Sequence, residues 1–262
     1  MSAVPVKNRQ LYIDGQWCDS ASGKKLAVEN PATEETIAEV SSGGREECRK
    51  AIAAASEAMK SWMKLTAYDR AKVLKKTADL MRERADNLAK TMTMEQGKPV
   101  PEAKAEVLHS ADTFEWFAEE GKRAYGQVIP QSNPAKRHMT IKHPVGVVGA
   151  IGPWNFPITL QSRKIAPALA AGCTIVCKPA SQTPLSLIGI FECLIDAGLP
   201  KGVANLVIGS ASEISDEFMQ NPAVRKISFT GSTAVGKQLM KQAADQVKRL
   251  SLELGGHAPF IV

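Results

Sequence analysis

A glutamate near the end of the sequence has surroundings that suit a general base. Glu253 lies in the motif RLSLELGGH, where leucines alternate with polar residues as they do along a β-strand. The alternation directs the carboxylate away from the leucines, and Gly255 and Gly256 let other backbone pass close to it. A carboxylate at such a strand end can accept a proton from water. A glutamate on a strand also fits a solvated surface position, and the motif alone leaves both interpretations open.

An asparagine in a proline-bounded loop is the second candidate. Asn155 lies in GPWNFP, where Pro153 and Pro157 hold the backbone in extended geometry. A side-chain amide held in a fixed direction suits a developing oxyanion, because a donor already aimed at the charge needs little reorganisation. The same asparagine would also fit a turn in which it bonds its own backbone, with Trp154 in the core.

A lysine and a serine at a strand end have the chemistry to bind phosphate. Lys178 and Ser181 of KPAS follow a short apolar run, where α/β nucleotide sites distinguish a ribose hydroxyl from a 2′-phosphate. An acidic residue there would repel the phosphate, whereas a cation and a hydroxyl can both bind it. These residues favour NADP without excluding NAD. Lys178 taken alone would also fit a solvated lysine.

A glycine-rich turn, GSTAVG at 231–236, lies between a predicted strand and a predicted helix. Its glycines allow close backbone approach, and the N–H groups of the helix favour phosphate oxygens. The motif departs from the dinucleotide fingerprint because Thr233 replaces the middle glycine. It departs from the triphosphate P-loop because Gln238 stands where serine or threonine would hold magnesium. Ser232 would also fit a plain helix cap.

Composition and charge place the chain among ordinary globular proteins. Of its 262 residues, 44% are hydrophobic and 23% charged, and the formal charge of +6 favours an anionic ligand. The basic residues of KRHMTIKH lack interleaved aromatic residues, so they predict a solvated face and no nucleic-acid partner. No apolar run approaches the roughly 20 residues of a membrane span, and the start lacks a targeting pattern. We therefore expect a cytoplasmic protein with no membrane partner.

The cysteines and histidines do not predict a metal site. The five cysteines, an odd number, lie mostly in apolar or helical surroundings, which is typical of reduced and buried thiols. The four histidines show no ligand spacing with them, and Cys173 with Cys177 has neither a second pair nor a nearby histidine. We expect no bound metal.

The first half predicts short strands followed by three helices. The segment LYIDGQW alternates around Asp14 and Gly15, a dipeptide suited to a tight hairpin turn. Apolar residues at helical spacing then predict three helices, over about 48–62, 71–92 and 101–120. Their long apolar stripe would also fit a coiled coil, but its shortness and alanine content favour packing on a sheet.

The second half alternates strands with helices, after a polar, proline-containing stretch that predicts a projecting β-hairpin arm. Five short apolar runs predict strands, at 145–151, 174–177, 205–208, 226–230 and 249–254. Helices are predicted between them, at about 158–171, 184–197, 212–219 and 233–247. Such alternation implies right-handed crossovers and a parallel sheet covered by helices on both faces. The expected fold is α/β and Rossmann-like, with ligands at the carboxyl ends of the strands.

Together these motifs resemble the aldehyde dehydrogenase superfamily, most closely its NADP-linked succinate-semialdehyde dehydrogenases, over essentially the whole chain. The resemblance implies that Asn155 supplies the side-chain half of an oxyanion hole. It implies that Glu253 activates the water that hydrolyses a thioester. It further implies cofactor contacts from Trp154, Asn155, Lys178, Pro179, Ala180, Ser181, Gly231, Ser232 and Leu254.

The resemblance also limits the class of aldehyde that the enzyme would accept. Arg163 in LQSRK matches the arginine that binds the substrate carboxylate in the succinate-semialdehyde enzymes, and its planar guanidinium can hold a carboxylate with two bonds. Arg163 would also fit a helix-surface arginine. Succinate semialdehyde and glutarate semialdehyde both suit this contact. The implied reaction is NADP-linked oxidation of the semialdehyde to the acid, as in γ-aminobutyrate degradation.

In the resembling family the nucleophilic cysteine lies a few dozen residues beyond the LELGG motif, whereas nine residues follow Glu253 here. We therefore expect a truncated cofactor-binding portion without turnover, from an enzyme that is a homo-oligomer at full length. The implied parts are packing strands and helices at 1–125, an oligomerisation arm at 126–144, a nucleotide-binding domain at 145–254 and the start of a catalytic domain at 255–262. The rival hypothesis is a non-catalytic nucleotide-binding or interaction module, which sequence beyond Val262 would distinguish.

Overall fold

A computed structural model describes residues 4–261; residues 1–3 and Val262, at the outer ends of the first and last predicted parts, lie outside the described residues. The strands are β1 (Leu11–Ile13), β2 (Gln16–Cys18), β3 (Lys25–Glu29), β4 (Thr36–Ser41), β5 (Gln127–Ile129), β6 (His138–Thr140), β7 (Val147–Ile151), β8 (Thr174–Lys178), β9 (Ala204–Leu206), β10 (Val224–Gly231) and β11 (Arg249–Leu254). The helices are α1 (Arg45–Trp62), α2 (Ala67–Glu83), α3 (Ala85–Gln96), α4 (Val100–Glu120), α5 (Thr159–Ala170), α6 (Pro184–Asp196), α7 (Ala211–Gln220) and α8 (Thr233–Ala244), with a 3-10 turn at Gly121–Arg123.

One mixed sheet of seven strands forms the centre of the fold, in the order β11-β10-β7-β8-β9-β1-β2. The strands from β11 to β9 are parallel. At the other edge, β1 and β2 extend the sheet in antiparallel orientation. All five strands predicted for the second half are present, with the predicted helices between them. The α/β, Rossmann-like fold is therefore confirmed.

Helices cover both faces of the sheet, as predicted. On one face α1, α7 and α8 meet Val147, Val176 and Ile227. On the other face α5 and α6 pack against Val148 and Ile175, and α2, α3 and α4 form a further layer. Because successive strand residues point to opposite faces, a parallel strand that is buried on both is apolar throughout. No helix among residues 4–261 is long and apolar enough to cross a bilayer.

The N-terminal hairpin of β1 and β2 closes one edge of the sheet. Asp14 and Gly15 have positive φ angles of 49° and 81°, as the predicted tight turn requires. Tyr12 of β1 pairs with Leu206 of β9. In addition, the backbone N–H of Asp14 donates to Asn205 Oδ1 at 2.9 Å, across 191 positions of sequence. The hairpin is thus fixed to a strand that lies far along the chain.

The helix predicted over 71–92 is in fact two helices, so the prediction of three N-terminal helices was wrong. Arg84 interrupts the helix with φ −98° and ψ 12°, and its guanidinium pairs with Asp196 of α6 at 2.6 Å. Because only this residue leaves the helical conformation, the apolar stripe keeps its spacing and periodicity does not reveal the break. The stripe packs on α4 and α6 within the globular core and forms no coiled coil in the described chain.

Two further hairpins lie outside the main sheet. In β5 and β6, Val128 pairs with Met139, and every residue of both strands is exposed, as expected for a projecting arm. In contrast, the hairpin of β3 and β4 was not predicted. Only Val28 of β3 is buried, and charged residues occupy both ends of the strand. With one buried position, the strand lacks the apolar alternation from which sequence analysis recognises strands.

Candidate functional site

A strand-end cavity of about 580 Å³ lies where β7, β8 and β10 end beside α7 and α8. Because these strands are parallel neighbours, their carboxyl ends open at one edge of the sheet. Residues from three separate motifs therefore meet in one cavity. Those predicted to contact a cofactor and found on its wall are Trp154, Lys178, Ala180, Ser181, Gly231 and Ser232.

Three of the predicted cofactor residues do not line this cavity. Pro179 is buried behind it. Asn155 is exposed one residue beyond Trp154. Leu254 packs on α8, where a Cβ on Gly236 would lie only 2.6 Å from its Cδ2. The last glycine of the GSTAVG motif thus permits close helix–strand packing.

Lys178 at the end of β8 is a buried cation. The residue is only 5% exposed, and desolvation lowers the pKa of its ammonium to about 8. Its backbone is held in place, because its carbonyl accepts hydrogen bonds from Gly152 N–H and from Gln161 Nε2, each at 3.1 Å. No carboxylate of the described chain lies within ion-pair distance of its Nζ. The cavity therefore presents an uncompensated positive group to whatever enters it.

The glycine-rich turn leads directly into α8. Ser232 is the N-cap, and its Oγ accepts a hydrogen bond from Val235 N–H at 3.3 Å, so the capping role considered for this serine is present. A Cβ on Gly231 would lie 2.4 Å from Phe229 Cζ. The packing of Phe229 therefore requires glycine at this position, in addition to the close approach of a ligand that the sequence suggested. The first N–H groups of α8 face the cavity edge together with the positive end of the helix dipole.

The side chain of Asn155 makes the hydrogen bond to its own backbone turn that its sequence context allowed. Its Oδ1 accepts a hydrogen bond from the backbone N–H of Phe156 at 3.0 Å. This contact fixes the amide plane, and among residues 4–261 no acceptor engages the Nδ2 group. The turn hydrogen bond therefore orients a free donor. On either side of Asn155, Trp154 lines the strand-end cavity and Phe156 lines a second, apolar cavity of about 480 Å³.

Glu253 lies on β11, the edge strand, in register with Thr230 of β10. It is exposed and lines a glutamate groove of about 570 Å³, together with Arg163 and Lys164 of α5. Lys164 is 5% exposed and donates to Thr230 Oγ1 at 2.6 Å. Desolvation lowers the pKa of Lys164 to about 8, and the charge of Glu253 opposes part of that effect. A carboxylate and a buried lysine thus lie beside one another on the groove wall.

Arg163 connects the glutamate groove with the apolar cavity, since it lines both. Its neighbours in the apolar cavity include Phe156, Leu160 and His109. The guanidinium is exposed, and within the described residues it forms no ion pair. The planar guanidinium of Arg163, with free N–H donors at the rim of an apolar cavity, suits a ligand that carries a carboxylate at one end.

The cysteines are poorly suited to nucleophilic attack. Cys48, Cys173, Cys177 and Cys193 are buried as predicted, and Cys18 is half-buried. Desolvation raises the pKa of the Cys177 thiol, and it raises the pKa of Cys193 to about 12, so their thiolate forms are disfavoured. Cys173 borders the glutamate groove but is only 2% exposed. In the part of the chain that the structure describes, no group of three His, Cys, Asp or Glu residues could hold a metal ion.

Sequence analysis missed four polar residues around these cavities. Gln161 and Lys164 lie on α5, and Lys98 and Glu106 lie beneath the loop that carries Asn155. A signal was available for Glu106, because it occupies a position of α4 whose neighbours on the same face, such as Ala103 and Val107, are buried and apolar. A charged residue at such a position needs a buried partner.

Replacement of Lys178 by methionine is expected to stabilise the fold. The lowered pKa means that holding Lys178 protonated near neutral pH costs about 2 to 4 kcal/mol of folding free energy. The cost is fully present below the folded-state pKa of about 8, and it disappears as pH rises towards the ordinary lysine value of 10.5. Lys178→Met should therefore raise the free energy of unfolding in denaturant titrations near pH 7 and converge with the wild type at high pH. Lys237→Met, on the exposed surface of α8, is the control; equal effects of the two substitutions would contradict the expectation.

A profile of the aldehyde dehydrogenase family matches residues 17–262. The chain is 53% identical over 254 residues to glutarate-semialdehyde dehydrogenase of Pseudomonas aeruginosa, covering 97% of this chain and 53% of that protein. It is 52% identical to the NADP(+) succinate-semialdehyde dehydrogenase of Escherichia coli, with the same coverage of both proteins. The chain spans about half the length of these relatives.

Solved structures agree with the sequence comparison. An NADP-dependent enzyme of Escherichia coli superposes with a TM-score of 0.96 at 50% identity, covering 98% of this chain and 54% of that one. Betaine aldehyde dehydrogenase of Staphylococcus aureus in complex with NAD+ gives a TM-score of 0.94 at 39% identity, covering 97% of this chain and 51% of that one. Because profile, sequence and fold all match over nearly the whole chain, this protein belongs to the aldehyde dehydrogenase family.

Proposed function

We propose that this chain forms the cofactor-binding part of an NADP-linked dehydrogenase that oxidises a carboxylate-bearing semialdehyde to the acid. The observation that carries the proposal is the strand-end cavity, where Lys178, Ser181 and the start of α8 converge beside the loop of Asn155. Succinate semialdehyde and glutarate semialdehyde are the proposed substrates. Relatives named for these substrates are 53% and 52% identical to this chain over the 254 residues that align.

The cavity wall supports a phosphorylated dinucleotide. No acidic residue is among the side chains that line the cavity within residues 4–261. An acidic side chain would accept hydrogen bonds from a ribose hydroxyl and repel a 2′-phosphate, whereas the ammonium of Lys178 and the hydroxyl of Ser181 can both bind that phosphate. The N–H groups at the start of α8 suit the pyrophosphate oxygens. We therefore assign NADP as the preferred cofactor and NAD as a weaker alternative.

The oxyanion and the water are assigned to Asn155 and Glu253. A nicotinamide cofactor bound in the strand-end cavity would supply the acceptor for the hydride of the substrate carbon. Asn155, whose Oδ1 is tied to Phe156 N–H, directs its Nδ2–H towards the oxygen that becomes negative when a nucleophile adds to the aldehyde. Glu253 on the groove wall takes a proton from the water that releases the acid. Lys164 lies beside Glu253 on the same groove wall.

The nucleophile is assigned to a cysteine outside this sequence. The five cysteines of the chain are buried or lie away from Asn155, and burial disfavours their thiolates. The relatives are about twice as long as this chain, which leaves ample sequence for that residue. The same proposal includes the domain boundaries predicted after residues 125, 144 and 254. It also includes a homo-oligomeric full-length enzyme, joined through the β5–β6 arm, and a cytoplasmic location.

A purely nucleotide-binding or interaction module is less well supported. Such a module needs the strand-end cavity but has no use for an oriented amide donor at Asn155 or for a carboxylate at Glu253. Neither group lines that cavity; Phe156, next to Asn155, lines the apolar cavity, and Glu253 lines the glutamate groove. Their presence together favours the enzyme.

The affinity for NADP should depend on pH through Lys178. Its pKa of about 8 without ligand means that the cationic form, which binds the 2′-phosphate, is lost as pH rises through that value. Titrations of the native polypeptide that carries this sequence should therefore give a Kd for NADP that is nearly constant between about pH 7 and 8, where the 2′-phosphate is fully ionised, and rises up to about tenfold per pH unit above it. The Kd for NAD, which lacks the phosphate, should stay nearly flat. Lys178→Arg keeps its charge and should abolish the dependence; an unchanged slope in that variant would refute the assignment.

Arg163 should discriminate between charged and neutral aldehydes. Removal of two charge-assisted hydrogen bonds is expected to raise KM for succinate semialdehyde by about 10- to 100-fold. In steady-state assays of the native polypeptide, Arg163→Gln should show this rise while KM for butanal, a neutral aldehyde of the same length, changes by less than about threefold. Arg225→Gln, at the amino end of β10 and away from both cavities, is the matched control. Equal changes for both aldehydes would remove Arg163 from the substrate site.

The 262-residue chain assayed alone should form no NADPH from succinate semialdehyde, because none of its cysteines presents an exposed thiolate beside Asn155. The native polypeptide, assayed in parallel, serves as the positive control. NADPH formation by the 262-residue chain that depends on the aldehyde would contradict this assignment. If NADPH formation persisted after each cysteine in turn was replaced by alanine, the reaction would use another nucleophile.

A further inference from the structure

We propose that the buried ion pair of Lys98 and Glu106 is a positioning device that sets the direction of the Asn155 amide. The inference rests on the proposed function, since it assigns to these two residues an effect on catalysis that is exerted through Asn155. Neither residue lines the strand-end cavity. Both act on the loop that joins this cavity to the apolar cavity.

Lys98 contacts the loop that carries Asn155 through its side-chain ammonium. Its side chain is 9% exposed, and its Nζ donates to the backbone carbonyl of Asn155 at 2.9 Å. The same ammonium pairs with Glu106 Oε2 at 2.5 Å and lies 4.1 Å from the ring centroid of Phe156. One cation therefore holds the main chain of Asn155 and the side chain of the residue that follows it.

Glu106 holds the other end of the loop. Its side chain is only 2% exposed, and its Oε1 accepts hydrogen bonds from the N–H groups of Ile158 and Thr159, each at 3.0 Å. These groups open the first turn of α5, where a carboxylate satisfies free donors and interacts favourably with the helix dipole. A further contact, Ser110 Oγ to Thr159 Oγ1 at 3.0 Å, fastens the same turn to α4.

Lys98 and Glu106 thus hold the loop at two points. The Asn155 carbonyl that Lys98 binds and the Phe156 N–H that donates to Asn155 Oδ1 belong to the same planar peptide group. Because Lys98 holds this peptide directly and Glu106 holds the two N–H groups that follow it, the orientation of the Phe156 N–H is fixed, and with it the plane of the Asn155 amide. A donor that is oriented before the reaction stabilises a developing oxyanion without further reorganisation.

The cost of burial supports a geometric role. Two buried charges lose their hydration, and a buried ion pair commonly contributes no more stability than apolar side chains of similar volume. A pair in this position is therefore better explained by what it orients than by what it stabilises. The turn that carries Lys98 is itself constrained, because Gly97 has a φ of 91° and a Cβ there would lie 2.9 Å from Pro31 Cγ.

A double-mutant cycle on the native polypeptide tests the proposal. Lys98→Met should lower kcat for succinate semialdehyde by about 10- to 100-fold, because a misplaced donor loses much of its effect. The Kd for NADP should change by less than about twofold, since Lys98 lies outside the strand-end cavity. In an Asn155→Ala background the same substitution should cause no further loss, because the group through which Lys98 acts is then absent. Lys98→Arg, which retains a donor and a charge, should recover part of the activity.

Matched variants separate positioning from damage to the fold. Lys104→Met removes an exposed lysine of α4 that pairs with Asp86 and should leave kcat unchanged. Glu106→Gln keeps an acceptor for the two N–H groups but loses the charge, so it should lower kcat by less than Lys98→Met. If Lys98→Met does not fold, Glu106→Gln serves as the test variant instead. In the Asn155→Ala background, Glu106→Gln should then cause no further loss of kcat.

Three results would overturn the inference. They are an unchanged kcat in Lys98→Met, an equal loss in the Asn155→Ala background, and a rise in the Kd for NADP as large as the fall in kcat. Failure of the proposed function would look different. If Asn155→Ala alone retained full kcat, or if the native polypeptide oxidised no aldehyde, the oxyanion assignment itself would be wrong.

Discussion

The parallel pairing of β8, β7, β10 and β11 is the constraint on which the site depends. Because neighbouring parallel strands end at the same edge, residues far apart in sequence are brought to one side of the sheet. Lys178, Gly231 and Glu253 each follow or end a different strand of this set. The register of β10 with β11, which sets Glu253 opposite Thr230, then fixes where the carboxylate stands relative to α5.

Three lysines with little solvent access lie in or around the N-terminal half of α5 and the loop before it. Their ammonium groups have different partners. Lys98 is paired with Glu106, Lys164 has the hydroxyl of Thr230, and Lys178 faces a cavity without a carboxylate. Lys178, the lysine without a carboxylate partner, lines the strand-end cavity where β7, β8 and β10 end. Concentrated positive charge at a concave, poorly hydrated surface draws anions towards it. The site is thus selective for charge before any specific contact forms.

Most of the second half of the fold could be predicted from sequence because its strands are buried on both faces and its helices are amphipathic. Runs such as TIVC and KISFT have no competing interpretation once the helices between them are recognised. Features set by a distant contact were missed. The break at Arg84 coincides with an ion pair to Asp196 of α6, and the roles of Lys98 and Glu106 depend on a loop about fifty residues away. Such partners cannot be inferred from local spacing, although a glutamate on the buried face of α4 was a detectable anomaly.

The attachment of β1 to β9 has a consequence for how the molecule assembles. Strand β1 cannot complete its pairing until the ribosome has synthesised the segment around Asn205, to which Asp14 is bonded across 191 positions. Contacts of such long range form slowly, and an N-terminal hairpin that waits for its partner exposes unpaired backbone meanwhile. The N-terminal hairpin, although it is made first, is therefore among the last parts to join the central sheet.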